Sequence, residues 1–495
     1  MSLRRDVGFG LIWMAIATIS SKGLSLLRKL ILARLLVPDD FGLVAYASLT
    51  IGVLELFKEM GFSSALIYRR DDVDEAADTT FVAVIASSIL LYAMAWVAAP
   101  YIARFFRNEQ LTMVLRVLSI SLVTSSVSQV PLTLMARTMG FRNKVIPEMI
   151  SGFIGSAISV VLALMGYGVW SIVYGTLITS SVLMVLVWFF CPWRPKFRLH
   201  RTVARELWHY GRHIVGSQML VFLITNIDDL VVGRLKGDAA LGTYGLAYEL
   251  SNLPATHMSR IVGRVMFPAF SRVQDDLVRL TKVFFQSLKF VSMAAFPIAI
   301  ITMVFARDFI VVAYGKKWFQ TVEPLQLLAV YGLARAVAVN MGNVFKAGGK
   351  PKWLLYIASW RLVTMAALLY PAIRWRGITG VAALSAAVAV VDFFLSMYLT
   401  NRVIHAPWRR YAQILLPMLV ASVVTALAGY RVYKWIEGLI HPFVSLPLTG
   451  GLALLAYLAL MYVYDEDTRR LTADISRTLG EQIRRFRVAR GHTGA

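Results

Sequence analysis

The residues in this chain with chemistry to offer are ionisable side chains set inside long apolar runs. Lys22 and Arg28 lie in the first such run, and Arg116, Arg260, Arg335 and Arg361 lie in later ones. The acidic members are Glu55, Glu59, Asp228, Asp229, Glu249 and Asp392. A charge at the centre of a membrane helix costs about 2.5–3.5 kcal/mol on insertion scales, so it normally faces a cavity or a partner. The weight of arginine within these runs points to a cavity for an anion rather than a cation. Other chemistry finds no motif. Gly349 and Lys350 are followed by Pro351, so no phosphate-binding loop is present, and the 7 histidines show no metal-ligand spacing. Cys191 is the single cysteine, which excludes an internal disulfide and a thiolate metal site. No catalytic residue, metal or cofactor is therefore expected, and transport is favoured over an enzymatic reaction.

The elements that must position these charges are membrane helices. The chain has 495 residues, 58% of them apolar and only 16% charged, and its mean hydropathy is +0.64. A soluble domain carries about a quarter charged residues, so most of this surface belongs in lipid. The net charge of +23 could indicate nucleic acid, but the basic residues sit in short loops between apolar runs rather than on one polar face; no nucleic-acid partner is expected. A bilayer core about 30 Å thick needs about 20 apolar residues per helix. Fourteen candidate spans meet this, from 9–36 to 446–464, and twelve is the alternative count if a weak one such as 240–262 lies in the interface. The predicted fold is all-α and polytopic. Lys and Arg are more than twice as frequent in the loops on the N-terminal side as on the other, which places both termini in the cytoplasm.

The chain repeats itself at about two hundred residues. The run 32–48 aligns with 232–249, pairing Arg34 with Arg234 and Gly42 with Gly242, and Gly140 and Gly168 match Gly349 and Gly377 downstream. Six helices per half make the halves parallel repeats about an axis along the membrane normal, a rocking alternating-access plan. The expected divisions are a first lobe at 1–200, a second at 201–405, two further helices at 406–464 and a basic amphipathic tail at 465–495. In the tail, Leu471, Ile475, Leu479, Ile483 and Phe486 recur at helical spacing beside Arg477, Arg484 and Arg485. At the repeat offset Arg28 corresponds to Asp228 and Lys29 to Asp229, so an Arg28–Asp228 pair is expected to close the outer side.

Several runs then carry a family resemblance: LARLLVPDDFGLVAYASLTIGVLELFKEMGFSSALIYRRDD (32–72), the block 115–151, LALMGYGVWSIVYG (162–175), NIDDLVVGRLKGDAALGTYGLAYELSNLP (226–254) and FPAFSRVQDD (267–276). In order and spacing they resemble the polysaccharide-transporter family of the MOP superfamily, over about residues 8–400. The resemblance implies a Wzx-type flippase of the bacterial inner membrane. Such a protein carries undecaprenyl-pyrophosphate-linked oligosaccharide from the inner to the outer leaflet for exopolysaccharide or O-antigen synthesis. By position, Lys22, Arg28 and Arg260 inherit contact with the diphosphate, with Arg264 one turn from Arg260. The last two helices would hold the polyprenyl tail in a lateral groove. Flippases of this superfamily are held to be antiporters, which implies a proton or sodium ion at Asp228, Glu249 or Asp392. Polymerase and chain-length proteins of the pathway are the implied protein partners, alongside membrane lipids. The competing readings are a multidrug or cation antiporter of the same superfamily, whose cavity should be acidic, and a membrane polymerase of the same pathway, which should have a long external loop.

Overall fold

The computed structural model describes residues 23–59, 61–69, 72–138, 141–464 and 469. Lys22 lies outside them, as does the expected amphipathic tail apart from residue 469. Among the described residues every regular element is helical. We label α1 (23–35), then α2 (Pro38–Glu59), α3 (Phe62–Tyr68), α4 (Val73–Phe106), α5 (Gln110–Leu118), α6 (Ile120–Arg137), α7 (Phe141–Leu164) and α8 (Val169–Phe190). There follow α9 (Arg201–Lys236), α10 (Asp238–Arg272), α11 (Leu277–Phe309), α12 (Val322–Ala347), α13 (Lys352–Ile404), α14 (Trp408–Ile436) and α15 (Pro442–Tyr464).

Eleven stretches of the described residues are long and apolar enough to cross a bilayer, α5 and α6 jointly forming one of them. Their outward faces carry large apolar side chains such as Leu90, Val97, Phe153 and Phe189 in the open, which suits hydrocarbon as the solvent. The fourteen expected spans map onto this set unevenly. At 53 residues α13 is two helices run together rather than one straight rod. It breaks at Arg376 and Gly377, and so holds both spans expected at 353–373 and 378–400. The weak span 240–262 falls in α10, which is not among the eleven.

Local chemistry sets the helix starts. Pro38 occupies the first position of α2, where its missing N–H costs nothing, and Asp39 and Asp40 follow in the first turn. Asp40 Oδ2 accepts from the Val37 N–H at 3.2 Å. Asp276 caps α11 by accepting from Arg279 N–H at 3.0 Å. Prolines inside α4, α6, α7, α11, α13, α14 and α15 break the backbone ladder, a fault that membrane helices tolerate where neighbours re-satisfy the freed carbonyls.

The chain divides into two compact units. The first comprises Met1–Tyr248, Ala313–Pro324 and Ala358–Leu384. Its apolar core packs Phe62, Leu66, Phe81, Val84 and Val130 with Val203 and Leu207 of α9. The second comprises Glu249–Val312, Leu325–Ile357 and Ser385–Ala495. There Phe284, Phe285 and Leu288 of α11 pack with Phe345, Met397, Tyr411, Met418, Tyr457 and Met461. Thus α14 and α15, which have no partner in the repeat, share the core of the second unit. The units cut across the 1–200 and 201–405 division, since α9 and the start of α10 pack with the first.

Candidate functional site

In the first unit α1, α7 and α8 enclose a cavity of about 390 Å³, and Arg28 is among its walls. Facing it are Glu148, Met149, Phe153 and Ser156 of α7, with Thr179 of α8. Glycines let α7 and α8 approach closely enough to build this wall. A Cβ on Gly155 would lie 1.8 Å from Thr179 Oγ1, and one on Gly175 would lie 1.7 Å from Ser159 Oγ. Small residues of this kind drive close helix crossing in lipid, where no hydrophobic force distinguishes helix from tail. The result is a guanidinium, a carboxylate and hydroxyls around one space. A guanidinium there can bind a phosphate oxygen by charge-assisted hydrogen bonds, and Glu148 is a carboxylate on the same wall.

The other expected residues are dispersed. Arg116 donates from Nε to the Trp96 carbonyl at 3.2 Å and lies 3.9 Å from the centre of the Trp96 ring. That indole is exposed on α4, so Arg116 is tied to a membrane-facing aromatic. Arg335 donates to Tyr331 Oη at 2.7 Å within α12, and Arg361 is half-buried in α13. Asp228 is buried in α9 and accepts from the Tyr244 hydroxyl at 2.7 Å, with Asp229 beside it. Glu249 is half-buried in α10 and Asp392 is buried in α13. The side chains of Arg260 and Arg264 lie outside the described residues, as does Lys22.

Sequence reading missed two charged residues. Glu148 was overlooked because the expected span began at 146, whereas α7 starts at Phe141 and takes Glu148 two turns inside. Lys58 went unremarked between Glu55 and Glu59 of α2, yet it is only 4% exposed. Its Nζ donates to Ser125 Oγ at 2.8 Å and lies 4.0 Å from Glu55. It sits in a hydroxyl-rich seam where Ser88 meets Ser126 at 3.0 Å and Gln129 donates to Ser63 at 2.8 Å. A lysine flanked by carboxylates and followed at a distance by a Ser-rich helix was the available signal.

A second feature of the first unit is a crossing between the first turns of α2 and α10. A Cβ on Gly42 would lie 1.9 Å from the Asp238 carbonyl oxygen, and one on Gly242 would lie 2.1 Å from the Pro38 carbonyl oxygen. Gly42 and Gly242 are repeat partners, and so are Pro38 and Asp238 (38 + 200 = 238). The crossing is therefore locally two-fold, backbone against backbone. Its surroundings tie further helix ends together. Tyr46 Oη donates to the Gly233 carbonyl at 2.9 Å, and Asn108 Nδ2 donates to Asp238 Oδ2 at 2.8 Å. Arg34 Nε donates to the Ala313 carbonyl, while Lys317 Nζ and Trp318 Nε1 donate to the carbonyls of Arg34 and Ala33, each at 2.8 Å. The repeat shows in the backbone as well: Gly168 has φ 53 and ψ −132, and Gly377 has φ 58 and ψ −136. That region is essentially closed to residues with a Cβ.

Helices of membrane length, an internal sequence repeat and a cavity with Arg28 in its wall characterise a polytopic membrane protein. The structure is similar to that of the lipid II flippase MurJ in an inward closed conformation, with a TM-score of 0.70 at 15% identity, covering 92% of this chain and 99% of that one. The chain belongs to the polysaccharide biosynthesis protein family, Polysacc_synt_3, whose profile matches residues 31–323. It is 25% identical to the teichuronic acid biosynthesis protein TuaB of Bacillus subtilis over 86% of this chain and 89% of that one. It is 26% identical to the lipopolysaccharide biosynthesis protein WzxC of Escherichia coli over 88% of this chain and 90% of that one. The family expected from the motif blocks is thus the family found.

Proposed function

We propose that the protein flips undecaprenyl-pyrophosphate-linked oligosaccharide from the inner to the outer leaflet of the bacterial inner membrane by alternating access. The observation that carries this reading is Arg28 in a cavity walled by membrane helices, in a chain whose relatives are named for teichuronic acid and lipopolysaccharide synthesis. In this reading Arg28 takes the diphosphate, joined by Lys22 and Arg260, while Arg335 and Arg361 stay available to the sugar. Arg116, tied to Trp96, steadies α4 and α5. Both termini are cytoplasmic, and fourteen helices cross, with α10 counted among them. The α2–α10 crossing then lies at the outer side and forms part of the closed gate, where an Arg28–Asp228 pair is a further element. Asp228 with Asp229, Glu249 or Asp392 would take the coupling proton or sodium ion.

A long polyprenyl tail needs an apolar path. One support is a cavity of about 460 Å³ between α2, α4 and α9, lined by residues such as Val53, Phe105, Phe222 and Leu230; the face of α14 and α15 is the other. The test is complementation of a flippase-deficient exopolysaccharide strain, with lipid-linked intermediates assayed by leaflet. Intermediates that stay on the cytoplasmic side with this protein expressed would overturn the reading. Glu148 in the cavity is what a cation antiporter would use. The variants separate the two: Arg28→Gln should abolish flipping while Glu148→Gln only weakens it, and the reverse order would favour the antiporter.

A further inference from the structure

The second unit contains a cavity unlike the first. It has a volume of about 380 Å³ and is walled by Lys350, Trp353, Tyr398, Arg402, His405 and Trp408, together with Asn401. No carboxylate lines it. Two loops shape its floor, the residues 348–351 joining α12 to α13 and 405–407 joining α13 to α14. Each turns on a left-handed residue, Gly349 at φ 68 and His405 at φ 50 and ψ 36. For histidine that conformation is sparsely populated and tends to occur where surrounding structure requires it.

The cations here are held by aromatic rings rather than by acids. Lys350 Nζ lies 4.8 Å from the centre of the Trp353 ring. The Arg402 guanidinium lies 4.8 Å from the Tyr398 ring centre, and its Nη2 donates to Tyr398 Oη at 2.6 Å. A guanidinium has five N–H donors in a fixed fork, so one bond to Tyr398 orients it and leaves donors for an anion. Asn401 Oδ1 is buried here without a hydrogen-bond partner among the described residues; it is an acceptor in a wall that also carries the Lys350 and Arg402 cations. Tyr398 and Trp408 are 45% and 48% exposed, at helix ends, the level at which aromatic belts meet lipid headgroups. The surrounding Lys346, Lys352, Arg409 and Arg410 put this end on the cytoplasmic leaflet by the loop-charge rule.

We propose that this cavity binds the headgroup of an anionic glycerophospholipid, with the phosphate between Lys350 and Arg402 and a glycerol hydroxyl donating to Asn401 Oδ1. A zwitterionic headgroup would bring an ammonium among like charges, so phosphatidylglycerol is favoured over phosphatidylethanolamine. Basic pockets between membrane helices on the cytoplasmic side take anionic lipids on the same grounds. The site stands independently of the flippase reading, because nothing in it depends on what the protein transports.

The test uses the purified full-length protein in neutral detergent. Lipid retention is read by native mass spectrometry, and thermal stability is followed on titration with phosphatidylglycerol, phosphatidylethanolamine or inorganic phosphate. Phosphatidylglycerol should be retained and should raise the unfolding temperature, while phosphatidylethanolamine should do neither. Lys350→Gln and Arg402→Gln should each weaken retention about tenfold, the loss expected for one charge-assisted hydrogen bond. Equal retention of both lipids by the unmodified protein would overturn the proposal even if a variant failed to fold. So would displacement of the lipid by millimolar inorganic phosphate, which would make this a simple anion site, or wild-type retention in both variants.

Discussion

Replacing Gly42 by alanine sets a methyl group 1.9 Å from the Asp238 carbonyl oxygen, where a carbon–oxygen contact needs about 3.3 Å. The obstacle is backbone, so no side-chain rotation relieves it; α2 and α10 must part. Overpacking of this kind costs about 1–3 kcal/mol. Alanine in a helix interior recovers about 0.8–1 kcal/mol relative to glycine. The net penalty on the packed arrangement is then at most about 2 kcal/mol, a shift of up to roughly 30-fold in its population. Gly242→Ala meets the Pro38 carbonyl at 2.1 Å and should act alike. The double variant should cost less than the sum, because one separation relieves both contacts. The assay replaces Cys191 by serine, places Ala239→Cys in the first turn of α10, and measures its labelling by a membrane-impermeant maleimide in intact cells. Both single variants should label faster at equal expression. If labelling is unchanged in both, or one variant opens the crossing and the other does not, the reasoning from a two-fold contact fails.

Three further outcomes follow from local geometry. Tyr244→Phe removes the donor to buried Asp228 at 2.7 Å and should cost about 1.5–3 kcal/mol, read as a lower unfolding temperature of the purified protein; no change would mean that the hydroxyl is not needed there. Ser125→Ala strips an acceptor from buried Lys58, whereas Lys58→Met removes the charge itself. A buried charge left short of partners is worse than an apolar replacement, so the serine variant should be the less stable of the two in a thermal-shift assay. Gly168→Ala and Gly377→Ala each force a Cβ into a backbone region of about 1–3 kcal/mol strain; the two should lose similar stability, and a large disparity would deny that their matched dihedrals serve matched roles.

What could be read beforehand divides by physical scale. Apolar runs are long and cumulative, so α4, α8, α14 and α15 fall within a few residues of the expected spans. The repeat could be read because glycine marks positions that tolerate no substitute, and Gly168 with Gly377 bears this out in φ and ψ. The contact made by Gly42 and Gly242 was not legible: alignment paired them with each other, but nothing in one strand of sequence says that each meets the other's helix start. Cavity membership was not legible for a related reason. Insertion cost says that Arg116 and Arg28 both need a partner, yet it cannot tell an indole on a neighbouring helix from a cavity shared with Glu148. Lys58 and Glu148 were hidden at span edges, where a shift of a few residues turns an interfacial charge into a buried one.

The α2–α10 crossing also bears on how such a chain arises. Each half offers the same patch, a helix-start carbonyl and a glycine four residues on, and receives the same patch in return. That is the defining property of an isologous interface in a homodimer. A half-length ancestor would have paired with its own copy through this contact before fusion, needing no second surface to be invented. Once fused, the two patches are free to drift, but only as a pair. A side chain gained at either glycine disturbs a contact that both copies share, so divergence between the halves is expected to concentrate in the cavities and to spare this junction.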